Sequence, residues 1–172
     1  MHTTRVTHRL RTGAAALALA GGICVLQPTS AQAAPAPEYW TFRNIYLSGN
    51  QCLTGGKIDG GKTSVFMSTC NGSNFQQWDW RGEDSGPYPM KQLQNKATGL
   101  CLATDNKSWE NNAVWTSRCE WRDGMRFHYN DDQKYIMSAL TSYNVFLTAR
   151  ESGAVYSSSE SDAARHTWFG SH

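Results

Sequence analysis

Residues 52–78 have the sequence CLTGGKIDGGKTSVFMSTCNGSNFQQW, and residues 101–127 repeat its pattern as CLATDNKSWENNAVWTSRCEWRDGMRF. Aligned without a gap, both segments place Cys-Leu at the start and a valine in the middle, followed by a second cysteine and a terminal aromatic residue. Self-similarity at a fixed period is the signature of a fold built from repeated structural units. This internal repeat therefore decides the fold class of the chain.

A third, shorter copy of the pattern follows near the C-terminus. It begins at Phe146, which aligns with Cys52. After a four-residue deletion it supplies Val155 as its valine and Trp168 as its terminal aromatic residue. Because Phe146 and Glu160 occupy the two cysteine positions, we expect this copy to have no disulfide bond.

The first part of the chain is predicted to be a signal peptide rather than part of the fold. Three arginines within the first 11 residues precede an apolar run over 14–26, which is too short to span a bilayer. The small-x-small sequence Ala31-Gln32-Ala33 then provides a cleavage site, and an uncleaved anchor is the alternative. We expect a signal peptide at 1–33, a short linker at 34–38, one domain at 39–172 and a secreted, extracellular protein.

The charge of the mature chain argues against two classes of partner. The full sequence carries a net charge of +2, but removal of the three leader arginines leaves 13 basic against 14 acidic residues, or −1. A nearly neutral chain without basic runs has little electrostatic attraction for phosphate backbones or anionic lipid surfaces. No other apolar run of the sequence is long enough for a membrane helix. We therefore expect neither nucleic-acid binding nor membrane insertion.

Four cysteines follow the leader, and each pair is 18 residues apart: Cys52 with Cys70, and Cys101 with Cys119. Three pairings are possible, but the equal spacing and an oxidising compartment favour these two local disulfide bonds. Zinc binding is the alternative, and it is disfavoured because the sequence has no Cys-x-x-Cys motif and no histidines at ligand spacing. The sequence thus predicts two equivalent disulfides, no metal site and no cofactor.

Short strand signals, β-branched or aromatic, alternate with clusters of Gly, Asn, Asp and Ser, and helical periodicity is absent. About four such strands fit in each copy, and three four-stranded units must pack on one another to bury their apolar faces and cover their edges. The arrangement that does this with three similar parts is an all-β fold, the β-trefoil; a sandwich or an up-and-down barrel is the alternative. The clearest predicted strands are 43–47, 63–69, 113–118, 134–137 and 154–157, and the repeats extend over about 39–88, 89–132 and 133–172.

The triplet Gln76-Gln77-Trp78 at the end of the first copy sharpens this prediction. With the Cys-Leu, valine and cysteine signals before it, the chain from about residue 39 to 170 resembles the ricin-B-type lectin family, whose β-trefoil repeats end in Gln-x-Trp. The triplet has changed to Met125-Arg126-Phe127 in the second copy and to His166-Thr167-Trp168 in the third. The resemblance implies hydrogen-bonding structural roles for Gln76 and His166, and core positions for the terminal aromatic residues. Those aromatic residues are Trp78, Phe127 and Trp168.

The resemblance also implies a sugar pocket in each copy, but this chain departs from the family at three pocket positions. Sugar-binding members carry an Asp just after Cys-Leu, an aromatic residue two positions before the second cysteine, and a polar residue immediately before Gln-x-Trp. Galactose binding of the usual kind is therefore not expected. In copy order, the three positions hold Thr54, Ala103 and Thr148; Ser68, Ser117 and Ser158; and Phe75, Gly124 and Arg165.

An aromatic residue directly follows the repeated valine in all three copies: Phe66, Trp115 and Tyr156. Because side chains alternate along a strand, an inward valine directs its neighbour outward. The pattern is similar to the Val-Tyr-Thr-type repeats of some bacterial mannose-binding trefoils, in which this aromatic residue faces sugar. Aromatic rings stack on the C–H face of a pyranose, so we predict carbohydrate contacts at these positions. The alternative is that the rings pack under loops.

The second copy has the richest set of polar and aromatic residues and is our first choice of site. Its loop and strand combine aromatic stacking faces with amides and carboxylates that fix sugar hydroxyls. We therefore expect Trp115→Ala to lower ligand affinity more than Phe66→Ala or Tyr156→Ala. The predicted carbohydrate-binding residues are Asp105, Trp109, Asn111, Asn112, Trp115, Phe66 and Tyr156, with Glu110, Trp121, Asp59, Lys62 and Glu151 beside them.

These patterns predict a secreted, lectin-like module that recognises carbohydrate, such as a cell-surface glycan or a polysaccharide. Because the lectin Asp is lost in all three copies, a protein-binding trefoil is the alternative, either a secreted protease inhibitor or a docking subunit of a toxin. An enzyme is not expected, since the sequence has no Gly-x-Ser-x-Gly, metal motif or paired-carboxylate signature. No catalytic residue is assigned, and the expected partner is a glycan.

Overall fold

The computed structural model describes residue 36 and residues 38–57, 63–82, 86–159 and 162–172. The predicted signal peptide lies outside the described residues, as do most of the linker and the residues Asp59, Lys62 and Glu160. Residues 36–172 group into one structural unit.

Twelve antiparallel β-strands joined by turns and short 3-10 helices make up this part of the chain, with four strands in each copy. The all-β class and the three four-stranded repeats that the sequence predicts are therefore confirmed. The strands are β1 (Tyr39–Asn44), β2 (Gln51–Lys57), β3 (Thr63–Thr69), β4 (Trp78–Arg81), β5 (Gln92–Asn95), β6 (Cys101–Thr104), β7 (Asn112–Ser117), β8 (Phe127–Asn130), β9 (Tyr135–Ser138), β10 (Val145–Ala149), β11 (Val155–Ser158) and β12 (Trp168–Ser171).

The three hairpins β2–β3, β6–β7 and β10–β11 pair with the same register, so each residue of one hairpin has a counterpart in the other two. The gapless alignment of the copies is thus structural as well as sequential. Strand β1 pairs with both β4 and β12, which brings the first and last strands of the domain together. In each hairpin the first residue of the Cys-Leu motif, or its replacement, lies opposite a serine: Cys52 and Ser68, Cys101 and Ser117, Phe146 and Ser158.

The shared core contains the repeated apolar residues of all three copies. The leucine of each Cys-Leu motif, the valine and the terminal aromatic residue are buried in one cluster. The Trp78 indole N–H donates to the Leu53 carbonyl oxygen at 3.0 Å. Its counterpart Trp168 donates to Leu147 in the same way, at 2.8 Å. These bonds satisfy the one polar atom of each indole, so the burial of Trp78, Trp168 and the apolar Phe127 leaves no orphaned donor.

One predicted strand differs in its position from the structure. We expected a strand over 43–47, but β1 ends at Asn44 and a 3-10 helix occupies Ile45–Leu47. The Asn44 side chain accepts a hydrogen bond from the Tyr46 N–H at 3.0 Å, which caps the helix locally. Ser48 then takes a left-handed conformation with φ of 56°. The β-branched and aromatic composition of the segment is outweighed by this Asn cap, because Asn side chains compete with strand pairing for nearby backbone groups.

Two disulfide bonds are present as predicted, and the third copy has an aromatic stack at the equivalent place. Phe146, which aligns with a cysteine, packs against the ring of His166 with centroids 5.3 Å apart. Tyr135 adds an edge-to-face contact to Phe146 at 5.2 Å. Ring packing thus surrounds Phe146, the residue at the first cysteine position of this copy. The disulfides join Cys52 to Cys70 and Cys101 to Cys119.

Candidate ligand-binding site

The first copy contains an open cleft of about 640 Å³ between its hairpin and the turn before β4. Two phenylalanines, Phe66 from β3 and Phe75 from the turn, line it with exposed rings, 37% and 44% accessible to solvent. The hydroxyl and amide groups of Thr54, Ser68 and Gln76 line its polar part. The cleft therefore combines aromatic surfaces with hydrogen-bonding groups, which is the usual composition of a small-ligand site.

A hydrogen-bonded network holds the polar part of the cleft in place. The buried Gln76 amide nitrogen directs one N–H to Ser68 Oγ at 3.0 Å, and Thr54 Oγ1 shares this donor at 3.3 Å. Thr54 donates its single proton to the Cys52 carbonyl at 2.9 Å, so Ser68 is the donor of the 2.8 Å bond between the two hydroxyls. Ser68 Oγ then keeps one acceptor lone pair for a ligand hydroxyl.

Gln76 also organises its own turn, which explains why the Gln-x-Trp motif is intact in this copy. Its amide oxygen accepts from the Asn71 N–H at 2.8 Å, and its amide nitrogen donates to the Thr69 carbonyl at 2.9 Å. These backbone groups would otherwise lack partners next to the cleft. The turn that carries Phe75 is thereby fixed relative to β3.

A glycine makes room for the first aromatic ring. A Cβ atom at Gly56 would lie 3.2 Å from the Phe66 ring, closer than ordinary van der Waals contact. The counterparts of Gly56 in the other copies are Asp105 and Arg150, one residue beyond Thr104 and Ala149 in the paired register. In the first copy this strand position therefore carries no side chain that would displace the Phe66 ring, whereas in the third copy Arg150 lies over the Tyr156 ring.

The second copy fills the equivalent space with apolar side chains. Ala103 replaces Thr54 and Met125 replaces Gln76, and both are fully buried with the Cys101–Cys119 disulfide. Trp115, the counterpart of Phe66, is only partly buried and packs against this cluster. A side chain at Gly124, the counterpart of Phe75, would collide with the carbonyl oxygen of Thr104. The environment of Trp115 therefore fits the alternative given for the aromatic residues after the valine, in which the ring packs against protein.

The polar residues predicted around Trp115 lie in different environments. Asp105 is half-buried and forms an ion pair with Lys107 at 3.2 Å, while Trp109 is 61% exposed. Asn112 is buried, and its amide accepts from the Ser108 N–H and donates to the Ser108 carbonyl, both at 2.8 Å. Its side chain closes a loop rather than facing solvent, so its position argues against a ligand contact.

The third copy has a smaller, charged pocket of about 250 Å³ at the equivalent place. Thr148 and Ser158 line it, as their counterparts line the first-copy cleft. Four charged side chains replace the phenylalanines there. Tyr156, the third predicted aromatic residue, has its ring 5.8 Å from the Arg150 guanidinium, which covers one face. The charged residues are Glu110 from the second copy, Arg150, Asp162 and Arg165.

His166 stands where the first copy has Gln76. It is half-buried, its Nδ1 atom is enclosed without a hydrogen-bond partner, and desolvation lowers the pKa of the imidazole, against a smaller opposing effect of Asp162. A neutral ring stacked on Phe146 fits a packing role. Of the remaining candidates, Glu151 accepts a hydrogen bond from the Tyr46 hydroxyl at 3.0 Å, and Trp121 lies beside Arg126 at 5.7 Å.

Phe75 and the Thr54–Ser68 pair are residues of the candidate cleft that the sequence analysis did not include among its predicted contacts. We identified them as departures from the lectin pattern rather than as replacements for it. A signal was available, since an apolar ring directly before Gln-x-Trp has no core position to occupy. What the sequence does not encode locally is that Phe75 and Phe66 line the same cleft.

The described residues contain no group of three or more His, Cys, Asp or Glu side chains that could hold a metal ion. In the same part of the chain, no helix is long and apolar enough to cross a membrane.

A family model for the ricin-type beta-trefoil lectin domain matches residues 38–168. The chain belongs to this family. The match covers all three copies, and the recognition made from the Gln-x-Trp pattern is confirmed. Family and fold together support a carbohydrate-binding module and suggest a binding domain without catalytic activity.

Solved structures confirm the β-trefoil fold of this lectin domain. The designed threefold-symmetric protein ThreeFoil has a TM-score of 0.61 and 17% identity, over 78% of this chain and 98% of that one. The β-trefoil lectin of the Vibrio vulnificus hemolysin/cytolysin, solved with N-acetyl-D-lactosamine bound, has a TM-score of 0.60 and 17% identity, over 79% and 95% of the two chains.

A Polyporus squamosus lectin, bound to an influenza-binding sialylated epitope, has a TM-score of 0.60 and 12% identity, over 78% of this chain and 49% of that one. No curated protein sequence matches the chain. At these identities the structural neighbours establish the fold alone.

Proposed function

We propose that this protein is a secreted module that binds a neutral glycan, and that the first-copy cleft is its principal site. The observation that carries the proposal is the pair of exposed rings, Phe66 and Phe75, that line one cleft with the Thr54–Ser68–Gln76 network. Aromatic faces stack on the C–H surface of a pyranose, and the hydroxyl network orients its hydroxyl groups.

The absence of charge in the cleft supports a neutral ligand. Its described lining consists of aromatic, hydroxyl, amide and small apolar residues. A sugar hydroxyl can donate to the remaining lone pair of Ser68, so the cleft offers one directed acceptor between two rings. A carboxylate or phosphate would be desolvated in the cleft without a cationic partner among the described lining residues, which is unfavourable.

This proposal moves the principal site from the second copy to the first. Trp115 has the larger ring, but that ring contacts the cluster of Ala103, Met125 and the disulfide. The part of the ring that already packs against protein cannot also stack on a ligand. The rings of the first copy are exposed before binding, so a sugar can stack on them without breaking a contact within the protein.

A glycan array followed by calorimetry on the best ligand tests the proposal with mature protein. We expect Phe66→Ala and Phe75→Ala each to weaken binding by about 1 kcal/mol, roughly fivefold, on the scale of one aromatic contact. Phe169→Ala is the matched control, because Phe169 is exposed on β12 and lies outside the cleft. Folded protein that binds no glycan, or equal losses in the control, would contradict the proposal.

A protein-binding trefoil is the second candidate, and two exposed tryptophans favour it. Trp109 and Trp121 are both at least half exposed and do not line the first-copy cleft. Tryptophan is enriched at protein interfaces and at their energetic hot spots. Stoichiometric inhibition of a secreted protease, lost in Trp109→Ala or Trp121→Ala and accompanied by no glycan binding, would reverse the order of the two candidates.

A further inference from the structure

We propose that the third-copy pocket is a second binding site that takes the carboxylate of an acidic sugar, a hexuronate residue, on Arg150. The site differs in chemistry from the first-copy cleft, and its occupation does not depend on a ligand there. Arginine stands at two positions that shape the first cleft: Arg150 is at the position of Gly56 and covers Tyr156, the counterpart of Phe66, and Arg165 is at the position of Phe75.

Arg150 carries a charge that no described carboxylate neutralises. Among the described residues, no carboxylate lies within 4.0 Å of its guanidinium nitrogens, and its side chain donates to the neutral amide oxygen of Asn111. The guanidinium is held over the Tyr156 ring at 5.8 Å. A planar cation fixed by neutral partners keeps donors in a fork that matches a carboxylate.

Arg165 provides a second positive group with a fixed position. Its backbone carbonyl accepts from the Asn44 amide at 2.9 Å and from the Ala149 N–H at 3.0 Å. Its guanidinium lies 5.2 Å from the Tyr46 ring, and its Nε is buried, has no hydrogen-bond partner and is 3.8 Å from Asp162. This loose ion pair leaves part of the electrostatic potential of Arg165 available to a ligand.

The acidic residues of the pocket restrict the ligand to a single negative charge. Among the described lining residues, Glu110 and Asp162 balance the two arginines with two negative charges, so a polyanion such as a phosphate dianion would be repelled by the carboxylates. The same carboxylates accept hydrogen bonds from hydroxyl groups. One carboxylate together with several hydroxyls is the chemistry of a hexuronate.

The space beside Arg150 fits a ligand larger than a simple anion. Arg150 lines the pocket of about 250 Å³ and also an adjoining, more open hollow of about 450 Å³ with Asn111, Ser152 and Tyr156. Thr148 and Ser158 add hydroxyl groups on the pocket side. A sugar ring can therefore lie on one side of the guanidinium while its carboxylate binds Arg150.

Titrating the mature protein with methyl glycosides tests this inference. The probes are the gluco-, galacto- and mannuronides, each paired with its neutral hexoside, together with acetate and a short Glu-rich peptide, followed by calorimetry or NMR. We expect at least one uronide to bind about tenfold more tightly than its neutral partner, and more tightly than acetate or the peptide. Equal binding of the hexosides, or acetate or peptide binding as strong as that of every uronide, would overturn the proposal.

Charge variants separate the role of each residue. We expect Arg150→Gln to weaken uronide binding about tenfold, and Glu110→Gln to strengthen it about two- to fivefold, because glutamine keeps an acceptor but removes a repelling charge. Arg43→Gln, at an exposed arginine of β1 outside the pocket, is the matched control and should change nothing. Phe66→Ala should also leave uronide binding unchanged, which distinguishes this site from the first-copy cleft. Unchanged binding in Arg150→Gln, with melting curves showing folded protein, would overturn the assignment.

Discussion

The first and second copies have the same hairpin register, yet one carries an open cleft and the other a filled one. At the two positions that form the polar part of the cleft, the first copy has Thr54 and Gln76, and the second has Ala103 and Met125. The polar pair makes a hydrogen-bonded surface beside exposed rings. In the second copy, Trp115 packs against this apolar pair and the disulfide.

In these two copies the openness of the cleft therefore depends on a few side chains rather than on the backbone register. In the first copy the buried Thr54 and Gln76 hydrogen-bond to protein groups below the cleft, and the Phe66 and Phe75 rings beside them stay exposed. An apolar group gains free energy by being covered. The same strand position therefore lines an open cleft in one copy and a buried cluster in the other, according to its neighbours.

Removal of the disulfide bonds should give the largest difference between the two copies. Each bond closes a loop with a sequence separation of 18 residues, so replacing either cysteine pair by serine should lower the free energy of unfolding by about 3 kcal/mol. For Cys101 and Cys119 we expect about 1 kcal/mol more, because Met125 and Trp115 pack on this bond. Urea denaturation of both double variants measures the difference, and equal losses would show that the packing adds nothing.

Truncation of single pocket residues should show how much apolar and polar side chains each contribute to the free energy of unfolding. Met125→Ala should cost about 3 kcal/mol of unfolding free energy, since a fully buried side chain leaves a cavity. Gln76→Ala should cost about 2 kcal/mol, because the Asn71 N–H and the Thr69 carbonyl lose their partner. Urea denaturation measures both losses of unfolding free energy. A larger loss for Gln76→Ala than for Met125→Ala would contradict the expectation that the filled pocket contributes more to stability.

A methyl group at Gly56 should narrow the first-copy cleft without affecting the core. The added Cβ would displace the Phe66 ring, so Gly56→Ala should weaken neutral-glycan binding by less than about 1 kcal/mol, a two- to fivefold change. The unfolding free energy of the variant serves as the internal control and should stay within about 0.5 kcal/mol. Unchanged affinity would mean that the ligand does not use this face of Phe66.

The pH dependence of stability should give the smallest effect and come partly from the third copy. Burial lowers the pKa of His166 below its ordinary 6.5, so below that pH the unfolded chain binds the proton more readily than the folded chain. Stability should therefore fall as the pH drops through 6.5. His128 contributes in the same direction, since desolvation also lowers its pKa.

His166→Gln, which restores the residue of the first copy, should reduce this loss. Thermal melts at pH 7 and pH 5 compare the variant with the parent chain and with His128→Gln. An undiminished loss in both variants would place the titrating groups elsewhere.

The amino-acid sequence alone determined the repeat, the fold class, the two disulfides and the family. These features follow from periodic signals, because Cys-Leu and the second cysteine recur at matching intervals in two copies, and the leucine, the valine and the terminal aromatic residue recur in all three. The burial of Trp78, Phe127 and Trp168 belongs to the same class, since a large apolar residue at an equivalent position in each repeat has only the shared core to occupy.

The tertiary structure decided which copy holds an open site. The sequence analysis favoured Trp115 over Phe66 as a sugar contact because the second copy has more polar neighbours. In the structure, however, the Asn112 side chain hydrogen-bonds within its own loop, and Trp115 packs against the cluster that contains Met125. In the third copy, Glu110 and Arg150 line one pocket although they belong to different repeats. Whether a side chain is free to bind depends on what already covers it, and that is a property of residues brought together through space.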